Sequence, residues 1–385
     1  MAFAIDNSND GFDAPDDFQM STRIMVFGVG GAGGNAVAHM VDSEVNDVDY
    51  VIANTDVNAL RQKNSEKMRR IQLGRKTTGG KGAGNDPSKG KASAEENSND
   101  ISESLNGVSM LFVTAGMGGG TGTGAAPVVA SLAKEKEILT VGVVTKPFKH
   151  EGTAKMDQAI AGISEMKKYV DALIVVPNER LKQLKGTRIT LKNAFVEVDN
   201  VLRKAVIGII SLLQDSGFIN VDFADIRMAL KNSGVAHMAI GRGKGENKLA
   251  DALEEVLHSP LLETSIDGAR RGLVNVSVPD SFSLEDYDQV MEEISEKFNK
   301  GATFKCGVVF DADLADDEIE LIVVATDFVE DEYSDISDSD DTGLDPMPSV
   351  TITSASDGIS GNIGFSTDAQ DVDMLLRKFN KGNNF

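Results

Sequence analysis

At 385 residues the chain is longer than one hydrophobic core usually organises, so two domains plus a tail are expected. Its single cysteine, Cys306, excludes an intrachain disulfide framework, and no apolar run approaches the ~20 residues of a membrane helix. The net charge of −22 is concentrated late: no Lys or Arg lies between Lys305 and Arg377, so the body is nearly balanced, which argues against sequence-independent nucleic-acid binding.

Taken in order, residues 1–20 are acidic and polar, unlike a secretory or mitochondrial leader, and read as a disordered N-terminus of a cytoplasmic protein. Strand 22–27 leads into Gly28-Val29-Gly30-Gly31-Ala32-Gly33-Gly34-Asn35, followed by helix 36–40. Strand 50–53 ends at Asn54-Thr55-Asp56, and a weaker strand, 68–73, feeds the glycine-rich loop 79–87. After a polar helix, strand 108–114 opens into Gly116-Met117-Gly118-Gly119-Gly120-Thr121-Gly122-Thr123-Gly124, with a helical pattern from Ala125. Strands 138–145 and 172–176 end at Lys146-Pro147-Phe148 and Pro177-Asn178. Apolar strands alternating with helices predict a Rossmann-like parallel α/β sheet, and each glycine-rich or polar loop follows a strand's C-terminal end, where such sheets bind ligands.

A helical pattern without proline runs from 191 to 213, apolar around much of its circumference, which predicts a helix buried between domains, with Gly217 as its stop. Asn220-Val221-Asp222-Phe223-Ala224-Asp225 opens the next helix. The second domain reads as α+β: strand 237–241, helix 249–257, strand 273–278, helix 284–298, then strands 303–310 and 318–325 as a hairpin. The expected organisation is thus a nucleotide-binding domain at 21–190, a central helix at 191–215 and a second domain at 216–327. A disordered acidic linker at 328–369 and a docking peptide at 370–385 complete it. Within that peptide, residues 371–379 form an apolar-plus-basic patch suited to short amphipathic docking.

Five glycines in the seven residues 118–124 exceed the needs of a turn. A strand that ends in glycines and opens into a helix turns backbone N–H groups and the positive helix end toward one point, which suits an anion of phosphate size. Gly28-x-Gly30-x-x-Gly33 with Asp56 about twenty residues on also matches the dinucleotide fingerprint, so an NAD-dependent oxidoreductase is a rival reading. A lone match of this kind is weak, and the loops at 79–87 and 118–124 have no role in a simple dinucleotide fold. Without a Gly-x-x-x-x-Gly-Lys-Ser/Thr run, three glycine loops suggest a triphosphate held by backbone amides, its charge offset by a metal ion. The histidines at 39, 150, 237 and 258 lack ligand spacing, and no protein metal site is expected. Cys306 lies in an apolar strand pattern and reads as core.

Asp222 and Asp225 have two compatible readings, a helix capping box and catalysis. If Phe195 and Asp199 lie at the ligand edge, the helix from Asp199 to Leu213 carries the chain about 20 Å away at ~1.5 Å per residue. The pair could then act only on a triphosphate bound by another subunit, and such head-to-tail contact builds filaments.

Gly118-Gly119-Gly120-Thr121-Gly122-Thr123-Gly124, the loop at Gly30 to Asn35, Asn220-x-Asp222-x-x-Asp225 and Ser259-Pro260-Leu261-Leu262-Glu263 together resemble the tubulin/FtsZ family, closest to its bacterial cell-division branch. The resemblance spans about 23–326, with a shorter match at the C-terminus. It implies a GTPase, alternating GTP and GDP, that polymerises head to tail into the division ring at mid-cell. By matched position, Gly30, Gly31, Ala32, Gly33, Gly34 and Asn35, with Gly118, Gly119, Gly120, Thr121, Gly122 and Thr123, wrap the phosphates. Ala83, Gly84, Asn85 and Asp86 approach the terminal phosphate, Glu151 and Lys155 contact ribose and phosphate, and Asp56 lies near. Asn178 and Asp199 read the guanine edge while Phe195 stacks on it. Asp222 and Asp225 of the next subunit, with Asn220 beside them, polarise the attacking water. Mg2+ is implied at the phosphates, with a monovalent cation as a further assistant. The implied partners are the chain itself and the ring's membrane-tether and regulator proteins, through 371–379, without nucleic acid or direct membrane insertion. A filament protein that binds GTP without hydrolysing it is the second rival, and the Asp222/Asp225 pair speaks against it.

Three departures stand out. Lys155 replaces the family's usual Arg, giving a point charge in place of a fork. Asn85-Asp86 stands where the family has Ala-Asn, placing an unexpected acid beside the terminal phosphate. Asp373 and Leu375 replace the Pro and Phe of the C-terminal peptide.

Overall fold

The computed structural model describes residues 22–42, 47–183, 189–190, 193–213, 217–259, 261–262, 269–297, 302–311 and 314–328. The expectations for residues 1–20, the linker and the C-terminal peptide lie outside them, as do Leu191, Pro260 and Glu263.

The first half alternates strand and helix: β1 (Ile24–Val29), α1 (Gly30–Val41), β2 (Val48–Asn54), α2 (Val57–Gln62), β3 (Met68–Gln72), α3 (Pro87–Glu96) and α4 (Ser98–Ser104). It continues through β4 (Met110–Gly116), α5 (Gly120–Glu135), β5 (Leu139–Lys146), α6 (Thr153–Met166) and β6 (Ala172–Pro177). These strands pair in parallel in the order β3-β2-β1-β4-β5-β6. β1 and β4 are buried along nearly their whole length, because helices cover both faces of a parallel sheet. α1 contributes Ala36, Val37 and Met40 to the core on one face, and α5 contributes Ala125, Ala126 and Val129 to the core on the other. The strand order reverses between β1 and β4, so α1 and α5 leave adjacent strands toward opposite faces, and a crevice opens between their N-termini.

Both helices begin inside their glycine runs, at Gly30 and Gly120, earlier than the expected Ala36 and Ala125. Glycine is a poor helix former, but here close packing outweighs propensity. A Cβ at Gly33 would stand 2.2 Å from the Thr114 carbonyl oxygen, and one at Gly124 2.0 Å from that of Pro87.

The second half holds α7 (Ala194–Ile210), β7 (Gly217–Ile219), α8 (Phe223–Leu230), β8 (Gly234–Lys244), α9 (Lys248–Leu257), β9 (Ala269–Val278), α10 (Leu284–Lys297), β10 (Thr303–Phe310) and β11 (Glu318–Phe328). A 3-10 turn, Ser211–Leu213, follows α7, and Gly217 opens β7 where it was expected only to stop a helix. α7 buries Val198, Leu202, Ala205 and Ile209 in a core shared with Val141 and Ile174 of the first sheet and Leu273 and Ile322 of the second. The buried helix between two sheets is therefore present.

The expected hairpin is corrected. β10 and β11 do not pair; the order is β8-β11-β9-β10-β7, with β9 between them, antiparallel to β11 and parallel to β10. Burial decides the placement: β11 and β9 are buried along most of their length and take central positions, whereas half-exposed β10 is pushed outward. β6 pairs in parallel with β8 through Ala172 to Ile174, joining the two sheets edge to edge.

Candidate active site

The loops after β1, β2, β3, β4, β5 and β6 and the N-terminal half of α7 enclose a cleft of about 800 Å3 at the C-terminal edge of the first sheet. Two of its helices enter without a side-chain cap: the N-cap positions of α1 and α5 are Val29 and Gly119, and neither side chain accepts a hydrogen bond. Their first-turn N–H groups thus point unsatisfied toward the crevice, an arrangement that favours an anion. The two helices beside them are capped. Asp56 Oδ1 accepts from the N–H groups of Asn58 (2.8 Å) and Ala59 (3.4 Å), and Asp86 Oδ1 accepts from the Ser88 N–H (2.9 Å).

Gly118 takes φ 99°, a left-handed value that bends the chain from β4 into α5, and its N–H donates to Thr123 Oγ1 at 2.8 Å. Thr55 and Thr121 share a hydroxyl hydrogen bond of 2.6 Å, tying the end of β2 to the start of α5. This end of the cleft presents backbone amides and hydroxyls.

The opposite end has a different chemistry. Phe195, Val198 and Asp199 project from one face of α7 into the cleft, at the three- and four-residue spacing of neighbours on a helix. Phe195 is 55% exposed, and its ring meets Phe148 edge-on at 5.7 Å. Asn178 is buried, and its Oδ1 has no hydrogen-bond partner although it lines the cleft. Burial pushes the Asp199 carboxyl up to about 7, against the pull of Lys63. Lys63 is held below the usual ammonium range by its own burial, an effect Asp199 partly offsets. His39 Nδ1 lies 3.9 Å from Asp199 Oδ2. An aromatic face, an orphan acceptor and a buried carboxyl together suit a flat base that carries donors.

Between the two ends, Glu151 accepts from the Phe148 N–H at 2.8 Å and from Lys155 Nζ at 3.1 Å, so the one carboxylate orients the other group's charge.

Of the expected residues, Gly31, Ala32, Asn35, Asp56, Ala83, Gly84, Asn85, Gly118, Gly119, Gly120, Thr121, Gly122, Glu151, Lys155, Asn178, Phe195 and Asp199 line the cleft. Gly30 and Gly33 lie outside the lining, where they allow close packing, and Thr123 holds the loop; Gly34, also outside it, has only the Lys63 side chain near. Asp86 is outside the cleft lining: its carboxylate accepts from the backbone N–H and hydroxyl of Ser88 (2.6 Å to the latter) and caps α3, while its backbone lies against Gly120, where a Cβ would stand 2.7 Å from the Asp86 nitrogen. Asn220, Asp222 and Asp225 also lie outside the lining. The capping box is half realised: Asp222 Oδ1 accepts from the Asp225 N–H at 2.7 Å, but the Asp225 carboxylate turns to Lys305.

Asn54, Gly116 and Thr145 line the cleft without having been singled out. Asn54 and Gly116 are terminal residues of β2 and β4, and Thr145 is next to last in β5, so the strand-end rule could have found all three. Val198 lies one helical turn from Phe195. Among the described residues no cluster of three or more His, Cys, Asp or Glu could hold a metal ion, and no helix is long and apolar enough to cross a membrane.

The profile of the Tubulin/FtsZ family, GTPase domain, matches residues 23–186, and that of the FtsZ family, C-terminal domain, matches 234–329. FtsZ from M. jannaschii, solved as an empty dimer, is 37% identical, covering 79% of this chain and 88% of that one, with a TM-score of 0.75. This chain belongs to the tubulin/FtsZ family. A tryptophan-to-tyrosine mutant of the M. jannaschii protein aligns at 36% identity over 80% of this chain and 92% of that one, TM-score 0.76. CetZ1 from Haloferax volcanii, a GDP-bound monomer, shares the fold at 21% identity, over 79% of this chain and 93% of that one, TM-score 0.66. Membership in a family of GTPases accounts for a cleft with an anion end and a base end, and it sets the oxidoreductase reading aside.

Proposed function

We propose that the chain is an assembly-dependent GTPase that polymerises head to tail into the cytoplasmic division ring at mid-cell. In this reading the cleft holds GTP and GDP. The uncapped ends of α1 and α5 take the phosphates, Phe195 stacks on guanine, and Asn178 Oδ1 and the Asp199 carboxylate accept from its donors. Glu151 and Lys155 hold the ribose and an adjoining phosphate.

One observation carries the proposal of a shared site: Asp222 and Asp225 stand at the start of α8, outside the lining of the cleft that the N-terminal half of α7 walls. Asp222, exposed at the N-cap of α8, and Asp225, part-exposed in its first turn, orient the attacking water when the next subunit presents α8 to the cleft. Mg2+ would sit at the phosphates, where Asp56 and the Thr121 hydroxyl, both in the cleft lining, would help to hold it and it would offset phosphate charge. Segment 371–379 is proposed to engage the ring's tether and regulator proteins.

The test is phosphate release measured against protein concentration. The expected dependence is steeper than linear, and Asp225→Ala should abolish most of it while GTP still binds. Linear release from isolated monomers rejects the shared site.

A further inference from the structure

The acid proposed to act across the subunit boundary is tied to the second domain by one ion pair. Lys305 Nζ lies 2.8 Å from Asp225 Oδ1, with 33% and 29% of the two side chains exposed. Strand alternation puts Lys305 and Gly307 on the same face of β10. That face is covered by the 3-10 turn after α7, since a Cβ at Gly307 would meet Leu212 at 2.6 Å. The intervening Cys306 packs against the core on the other side. A lysine that only guards a sheet edge points to solvent and needs no carboxylate. Lys305 instead stands on the helix-covered face, where a cation requires a partner.

The far end of α8 is fixed to the same sheet. Arg271 Nη1 donates to the Met228 carbonyl at 2.6 Å while its Nε pairs with Asp327 at 3.1 Å. The Thr326 hydroxyl donates to the Ala229 carbonyl at 2.9 Å. With the last turn of α8 clamped, the Lys305 ion pair fixes the direction of the Asp225 carboxylate at its acidic end.

We propose that Lys305 is a positioning residue for hydrolysis, acting through Asp225. It holds the carboxylate in one orientation and offsets its charge, so that the acidic start of α8 can approach the triphosphate of the neighbouring subunit. One ammonium N–H serves Asp225, and two remain for water or phosphate oxygen. This inference rests on the shared-site reading.

The experiment compares Lys305→Met, Lys305→Arg, Asp225→Asn and the Lys305→Met/Asp225→Asn double variant. It reads monomer GTP affinity, sedimentation with a slowly hydrolysed GTP analogue, and phosphate release per assembled subunit. Lys305→Met should bind GTP and assemble as the native chain does, yet turn over roughly three- to tenfold more slowly, the scale of a partly exposed ion pair. Lys305→Arg should recover most of the rate, and the double variant should match Asp225→Asn alone. Native turnover in Lys305→Met overturns the proposal, as does failure of arginine to rescue, or a further loss in the Asp225→Asn background. Native turnover in Asp225→Asn overturns the shared-site reading and this inference with it.

Discussion

Asp199 lies one helical turn beyond Phe195 on α7, and the sign of its pH dependence follows from its burial. Its carboxyl rises from 3.8 to about 7 in the folded chain, so charging it costs the nucleotide-free fold. That stability is fully present below pH 3.8 and is lost as pH climbs toward 7. The proposed contact of Asp199 with guanine has the opposite sign, because accepting hydrogen bonds from the base requires the ionised carboxylate. GTP affinity should therefore fall as pH drops below about 7, by up to tenfold per pH unit, and Asp199→Asn should bind more weakly with a flat profile. Titrating nucleotide fluorescence between pH 5.5 and 8, roughly spanning the transition, checks this; equal slopes for the two proteins reject it. Asp86 gives the matching lesson about legibility. An Asp directly before a proline that opens a helix is a cap signal, so its capping of α3 was legible in the sequence, whereas the packing of its backbone against Gly120 was not. The bond from Lys305 to Asp225 had no such local mark, because only the folded sheet brings the two residues together.

Among elements, the contact of α3 with α5 governs how rigid the anion end is. The start of α5 lies against the start of α3 so closely that a Cβ at Gly124 would also stand 2.6 Å from the Lys91 nitrogen. Backbone faces backbone there, and no side chain can yield. Gly124→Ala should destabilise the protein by about 1–3 kcal/mol in chemical denaturation and weaken nucleotide binding by parting the loops at 83–85 and 118–122. A denaturation midpoint equal to the native one removes the prediction. Strand and helix alternation made the parallel sheet legible, since each βαβ unit is local. The starts of α1 and α5 were misplaced because the propensity penalty on glycine is visible in sequence and its compensation by packing is not. The order β8-β11-β9-β10 was hidden for the same reason: adjacency in sequence suggested a hairpin, and burial of β9 overruled it.

For the molecule as a whole, one chain carries both halves of the proposed site, one at each end of α7: Phe195, Val198 and Asp199 line the cleft, and the Val221 N–H bonds the Leu212 carbonyl just beyond the helix. The base-and-phosphate half depends on elements complete by β6, with α7 as its wall, whereas α8 is clamped by Arg271 of β9, Lys305 of β10 and Thr326 of β11. β11 is the last strand among the described residues, yet it pairs with both β8 and β9 along almost its full length. During synthesis, then, the second sheet has a gap in its middle until residues 318–328 leave the ribosome. A nascent subunit can form its nucleotide cleft before that moment but cannot seat α8. Arrested chains ending before Glu318 should protect the cleft from protease in the presence of GTP while α8 is still cut, and protection of α8 in such chains would reject this order of events. On the proposed shared site, a product truncated before Glu318 would lack the strand whose Thr326 holds the end of α8, and so would not offer a neighbour a seated pair of acids.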